Sequence, residues 1–242
     1  MTESNKTAAV PEKWYVLVAG LRLDDYEVNL GPGLTLRQLI QPISVFDLAS
    51  AGAVGFREWA VLEPLIGSCF CEIESDNNAA RIPGYDTLNR AWLASTLLIL
   101  RKYSMHLPVA CSSYSWRLIA DSAKNSSHSL PPFKGTLLDY HLKILVEPNL
   151  SETTLIPEDA EWIFSHFESF NQIASNSPSF RLALEAAVDW RYAKEQRSAV
   201  ARIWSGIEAL FGISSELVYR ISILSACLLE PRGMDVNKGL IR

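Results

Sequence analysis

A chain of 242 residues is long enough for one large domain or two small ones. With 48% hydrophobic and 20% charged residues it has the composition of a chain that buries a core, which excludes a disordered tail or a fibrous repeat. The formal charge of −5 excludes a protein that coats nucleic acid through a generally basic surface, although residues 178–242 are mildly basic, with nine Lys and Arg against seven Asp and Glu.

Residues Met1 to Lys13 are polar, without the basic and apolar stretches of a secretion signal, and read as a flexible N-terminus of a cytoplasmic protein. Trp14 to Leu21 is an apolar strand, and Tyr26 to Leu30 alternates before a Gly31-Pro32-Gly33 turn. Leu34, Leu36 and Leu39 continue the β-rich start, and Val45 to Trp59 mixes helix and strand signals. Glu63 to Glu74 holds a further strand through Ile66, Phe70 and Ile73. Its Cys69 and Cys71 are two residues apart, so their side chains share a face as buried, reduced thiols.

Leu88, Trp92, Leu93, Thr96, Leu97 and Leu100 recur at three and four residues, which predicts a helix over Tyr85 to Leu100. The apolar run within it, Ala91 to Leu100, is about half of what a bilayer requires, so it predicts a buried helix and no membrane span. Pro108 to Trp116 and Leu137 to Val146 read as strands on either side of a Ser/Asn/Pro-rich loop, Asp121 to Pro132. Residues 14–150 are thus expected to form a mixed α/β domain.

From Pro157 onward the pattern is helical. Pro157 is a first-turn proline followed by Glu158, Asp159 and Glu161, and Trp162, Ile163, Phe167, Phe170 and Ile173 mark a buried face. Ser177 and Pro178 open a second helix with Phe180, Ala183, Leu184, Ala187 and Val188 on one side. A third, Arg197 to Phe211, carries Val200, Ile203, Trp204, Ile207, Leu210 and Phe211 as its stripe and stops at Gly212. Ser214 caps a fourth, with Leu217, Val218, Ile221, Leu224 and Leu228, and Asp235 begins a fifth that runs out at Arg242. Short connections predict antiparallel neighbours. The expected class is therefore α+β: a mixed α/β N-terminal domain followed by an all-α antiparallel helical bundle over 157–242, incomplete at its last helix.

Two stretches carry a family resemblance. The opening WYVLVAGLRLDDYEVNLGPGLTLRQL, from Trp14, and the pair RIWSGIEALFG and ELVYRISILSACLLE, within Phe180 to Leu229, resemble the Apea-like HEPN family of bacterial defence-associated proteins. The resemblance implies an HEPN-like bundle, dimerisation through it, and an RNA-cleaving role in defence against phage and mobile elements, with a phage or host protein as trigger. Members cleave without metal, using an Arg-x4-6-His element on the last bundle helix. No such element follows here, since the final histidine is His166. The motif is expected beyond Arg242, and cleavage by this chain is expected to be absent. The alternative is a non-catalytic sensor or dimerisation scaffold whose N-terminal domain binds a ligand or protein.

Arg101 and His106 match the spacing of that element, but in the wrong domain and at a frequency chance supplies. Glu208 and Arg220 lie on the flanks of successive helices, where they either border an RNA-phosphate site or form a structural ion pair. Arg191 either projects toward a phosphate or caps helix carbonyls, and Trp190, off its helix's main stripe, is a possible contact residue. His128 and His141 have no acidic neighbour at metal or triad spacing. No metal site, cofactor loop or cofactor is expected.

Overall fold

The strand-like stretches of the first half become β-strands in the computed structural model, which describes residues 12–41, 43–44, 65, 67–79, 85–102, 106–122, 135–137, 153–193 and 195–212. The strands are β1 (Lys13–Ala19), β2 (Leu21–Leu23), β3 (Glu27–Gly31), β4 (Leu34–Gln38), β5 (Cys69–Asp76), β6 (Leu107–Ser112), β7 (Gly135–Leu137) and β8 (Thr153–Leu155). The helices are α1 (Tyr85–Lys102), α2 (Trp116–Ser122), α3 (Pro157–Asn176), α4 (Pro178–Asp189) and α5 (Gln196–Phe211). The chain divides into two compact units, and the boundary falls within α3, after Asn171.

In the first unit six strands pair in the order β3-β4-β5-β1-β6-β7, antiparallel throughout. Pairing of Val16 with Ile73 and of Ile73 with Leu36 sets an apolar row across three strands. All three side chains are buried. Cys71 and Ser75 share this face by the period of two, and the Ser75 hydroxyl donates to the Thr87 carbonyl of α1 at 2.8 Å. Helix α1 therefore covers this side of the sheet, with Leu93, Ala94, Leu97 and Leu98 buried. Beside the main sheet, β2 pairs in parallel with β8.

The start of α3, up to Asn171, belongs to the first unit and is seated there through a close contact at Phe167. Phe167 is fully buried, and a Cβ placed on Gly31 would come within 2.9 Å of its ring. Glycine at the end of β3 is what lets the ring seat. Arg90 of α1 holds the same corner: its guanidinium lies 4.9 Å from the Phe167 ring and donates to the Pro32 carbonyl at 2.6 Å. At the start of α3, buried Asp159 receives Arg101 at 3.0 Å and Lys102 at 2.7 Å from the end of α1. Cations in a last turn thus meet an anion in a first turn, the arrangement both helix dipoles favour.

In the second unit α4 and α5 pack against each other. Ser177 caps α4 by accepting from the Phe180 amide at 3.2 Å, and Gly212, at φ +61°, ends α5. The buried residues of α5 are Ala199 and Gly206. A Cβ on Gly206 would fall 2.5 Å from the Ala186 Cβ, so the two backbones approach through small side chains. Val200 and Trp204 of α5 stay exposed.

Three expectations require correction. Among the described residues no all-α antiparallel bundle forms from 157 onward: the chain is mixed α+β, α3 up to Asn171 belongs to the sheet unit, and the described part of the second unit is built on the pair α4 and α5. The reason is that an apolar stripe states that a helix buries a face, without stating against what. Phe167 is seated over Gly31 at the end of β3 and beside Arg90 of α1, within the sheet unit. Secondly, Trp116, expected at the end of a strand, begins a helix. Thirdly, the stripe of α5 is rotated by about a quarter turn from the side that is buried. The helices expected from Ser214 and Asp235, and the stretch Val45 to Trp59, lie outside the described residues.

Candidate functional site

The face of the sheet opposite α1 carries a polar ladder that the sequence pattern did not single out. Tyr15 pairs with Glu74 across β1 and β5, Arg37 with Glu72 across β4 and β5, and Glu27 with Arg37 across β3 and β4. Glu74 bridges Lys13, at 2.5 Å, and Arg37; Arg37 in turn reaches Glu27 at 2.8 Å. Four strands are tied by one alternating row of charge. The hydrogen bond from Lys13 to Glu74 raises the lysine pKa against the opposing cost of burial, while burial, and then the Glu74 charge, raises that of Tyr15.

Glu72 is the deepest member of the ladder. Its carboxylate accepts from the Ser115 hydroxyl at 2.7 Å and from the Trp116 amide at 2.6 Å, which makes it the cap of α2 supplied from a strand. Trp116 is buried, its indole N–H donating to the Tyr15 carbonyl at 3.0 Å. Burial lifts the Glu72 pKa to about 7, with the two donated hydrogen bonds pulling it down. A carboxyl titrating near neutrality is the material of acid–base catalysis, but this one is 0% exposed and each oxygen holds a donor. Its chemistry is that of a cap that takes up a proton. Cys69 and Cys71 are buried as expected, and burial pushes the Cys69 thiol up to about 12, far from a reactive thiolate.

The residues singled out from the sequence separate. Arg101 turns to Asp159, whereas His106 lies buried with its Nε2 2.9 Å from the Ser95 hydroxyl, so the chance-spaced pair forms no joint site. His166 is exposed, its Nδ1 2.7 Å from the Trp162 carbonyl. Arg191 is buried in the 3-10 turn that follows α4, and its Nε donates to the Val188 carbonyl at 3.0 Å. Trp190, in the same turn, is half-buried. Arg202 of α5 closes the turn by donating to the Asp189 carbonyl at 2.9 Å. Glu208 is half-buried near the end of α5; Arg220, like His128 and His141, lies outside the described residues. Among the described residues no group of three or more His, Cys, Asp or Glu could hold a metal ion. Nor is any described helix long and apolar enough to cross a membrane.

What remains open to a partner in the second unit is the side of α5 turned away from α4. Val200 is 64% exposed and Trp204 40%. Gln196, Arg197, Val200, Ala201 and Trp204 line a shallow open depression of about 500 Å³ on this side. Large apolar groups in a row on a surface, edged by charge, mark a contact surface rather than a catalytic one. The expected stripe had identified these residues and assigned them to a core.

Comparison with family models, with curated proteins and with solved structures gives no match for this chain.

Proposed function

We propose that this chain is a non-catalytic, self-associating scaffold, in which the helix pair is the assembly element and the sheet unit the recognition element. The observation that carries this reading is the outward side of α5, where Val200 and Trp204 stay exposed while the helix rests on Ala199 and Gly206. Burying such a stripe against a second copy removes the cost of its hydration. The resemblance to Apea-like HEPN proteins supports the same direction, since it implies dimers in an RNA-directed defence role. Cleavage by that family's mechanism is no part of the proposal: Arg101 and His106, which match its spacing, turn to Asp159 and Ser95 respectively.

Light scattering tests it. The wild-type chain at tens of micromolar is expected at twice the 27.0 kDa chain mass, and Val200→Glu with Trp204→Glu at the chain mass. Both positions are exposed in the single chain, so the double variant keeps the fold. A wild-type chain that stays monomeric, or RNA cleavage by it without metal, overturns the reading.

A further inference from the structure

Along α5 each residue advances about 100° around the axis and about 1.5 Å along it. Around the axis Val200, Ala201, Trp204, Glu208 and Phe211 all fall within about 60° of Arg197, with Ala201 and Glu208 to one side of it and Val200, Trp204 and Phe211 to the other. All six lie on the side opposite Ala199 and Gly206, the two residues buried in the helix. This row has an internal order. A cation stands near its start and an anion near its end, with a one-carbon side chain and an indole placed symmetrically between them.

From this order we infer that α5 pairs with α5 of a second copy, antiparallel, about a two-fold axis passing between Arg202 and Ile203. The inference rests on the self-association proposed above. In that register Arg197 of each chain stands level with Glu208 of the other, and Ala201 of each with Trp204 of the other. An isologous contact requires such reciprocity: whatever one copy offers to the second, the second offers back. Parallel pairing would set Arg197 on Arg197 and Trp204 on Trp204, a repulsion and a clash. The depression lined by Arg197, Val200, Ala201 and Trp204 is then both the hole and the origin of the knob: the indole on its border enters the space beside Ala201 in the partner. Arg197 is exposed and Glu208 half-buried, so the charge pairs flank the apolar centre and select the register rather than provide most of the affinity.

The test is a charge exchange in the full chain, read by sedimentation at low ionic strength. Arg197→Glu and Glu208→Arg are each expected to weaken the dimer roughly threefold, and the double exchange to restore it. Trp204→Ala is expected to weaken it roughly tenfold or more. Positions 197 and 208 are about 16 Å apart along one helix, so rescue by the double exchange requires the other chain. A dimer indifferent to both exchanges, or one the double exchange fails to restore, overturns the register while leaving self-association standing. A monomer at every concentration overturns both. Variants that lower the melting temperature without changing the mass assign the stripe to the chain's own residues 214–229 and likewise overturn the inference.

Discussion

The two units meet the same requirement with opposite materials. The sheet unit buries its large side chains, Leu17, Leu36, Ile73, Trp116 and Phe167, and ties its polar groups to one another across strands. In the helical unit α4 and α5 come close through Ala186 and Gly206, and Val200 and Trp204 of α5 stay exposed. Small residues let two helices come close, but each removes little apolar area from water. The first arrangement is self-sufficient in its burial. The second satisfies the backbone and leaves apolar area for another surface to cover.

The contrast is broken most severely at Phe167. Truncating this fully buried ring to alanine removes both its area and the filling of the space over Gly31, so Phe167→Ala is expected to cost about 3–5 kcal/mol. Denaturant titration followed by tryptophan fluorescence measures it, and a loss below about 1 kcal/mol would mean that α3 is not anchored there.

Glu72 comes next, because its effect depends on pH. Its folded-state pKa is raised by burial from the ordinary 4.5 to about 7, so the folded chain holds the proton more tightly than the unfolded one. The stabilisation is complete below about pH 4.5 and is lost as pH rises through about 7, roughly 3 kcal/mol in all. Glu72→Gln, neutral at every pH, should flatten stability curves measured between about pH 5 and 8. A slope unchanged by the substitution would show that another group titrates.

Gly206 carries the smallest effect. Gly206→Ala puts a methyl group 2.5 Å from Ala186, and overpacking of this kind is expected to cost about 1–3 kcal/mol. Helix propensity acts in the other direction, since alanine is preferred over glycine by about 1 kcal/mol. If thermal unfolding shows net stabilisation, the two helices do not approach as closely as their small residues permit.

Period and punctuation made the elements legible. Tyr26 to Leu30 alternates into a strand, Ser177 and Pro178 start a helix, and Gly212 ends one, because each signal acts within a few residues. Partners were less legible. Nothing local to Phe167 says that its neighbour is Gly31, and nothing in Glu72 says that a helix beginning at Trp116 will need its carboxylate. The α5 stripe is the sharpest instance: its residues were recognised, yet apolar content alone does not tell an internal face from a face kept for another copy. Small size at Ala199 and Gly206 was the signal that would have placed the contact with α4.

The meeting of Gly31 with Phe167 makes one steric unit of two distant stretches of chain. Any side chain at position 31 requires a smaller one at 167, and a larger ring at 167 requires position 31 to stay bare. In a set of related sequences these two positions should therefore change together or not at all, a correlation that records the seating of α3 on the sheet without reference to any structure.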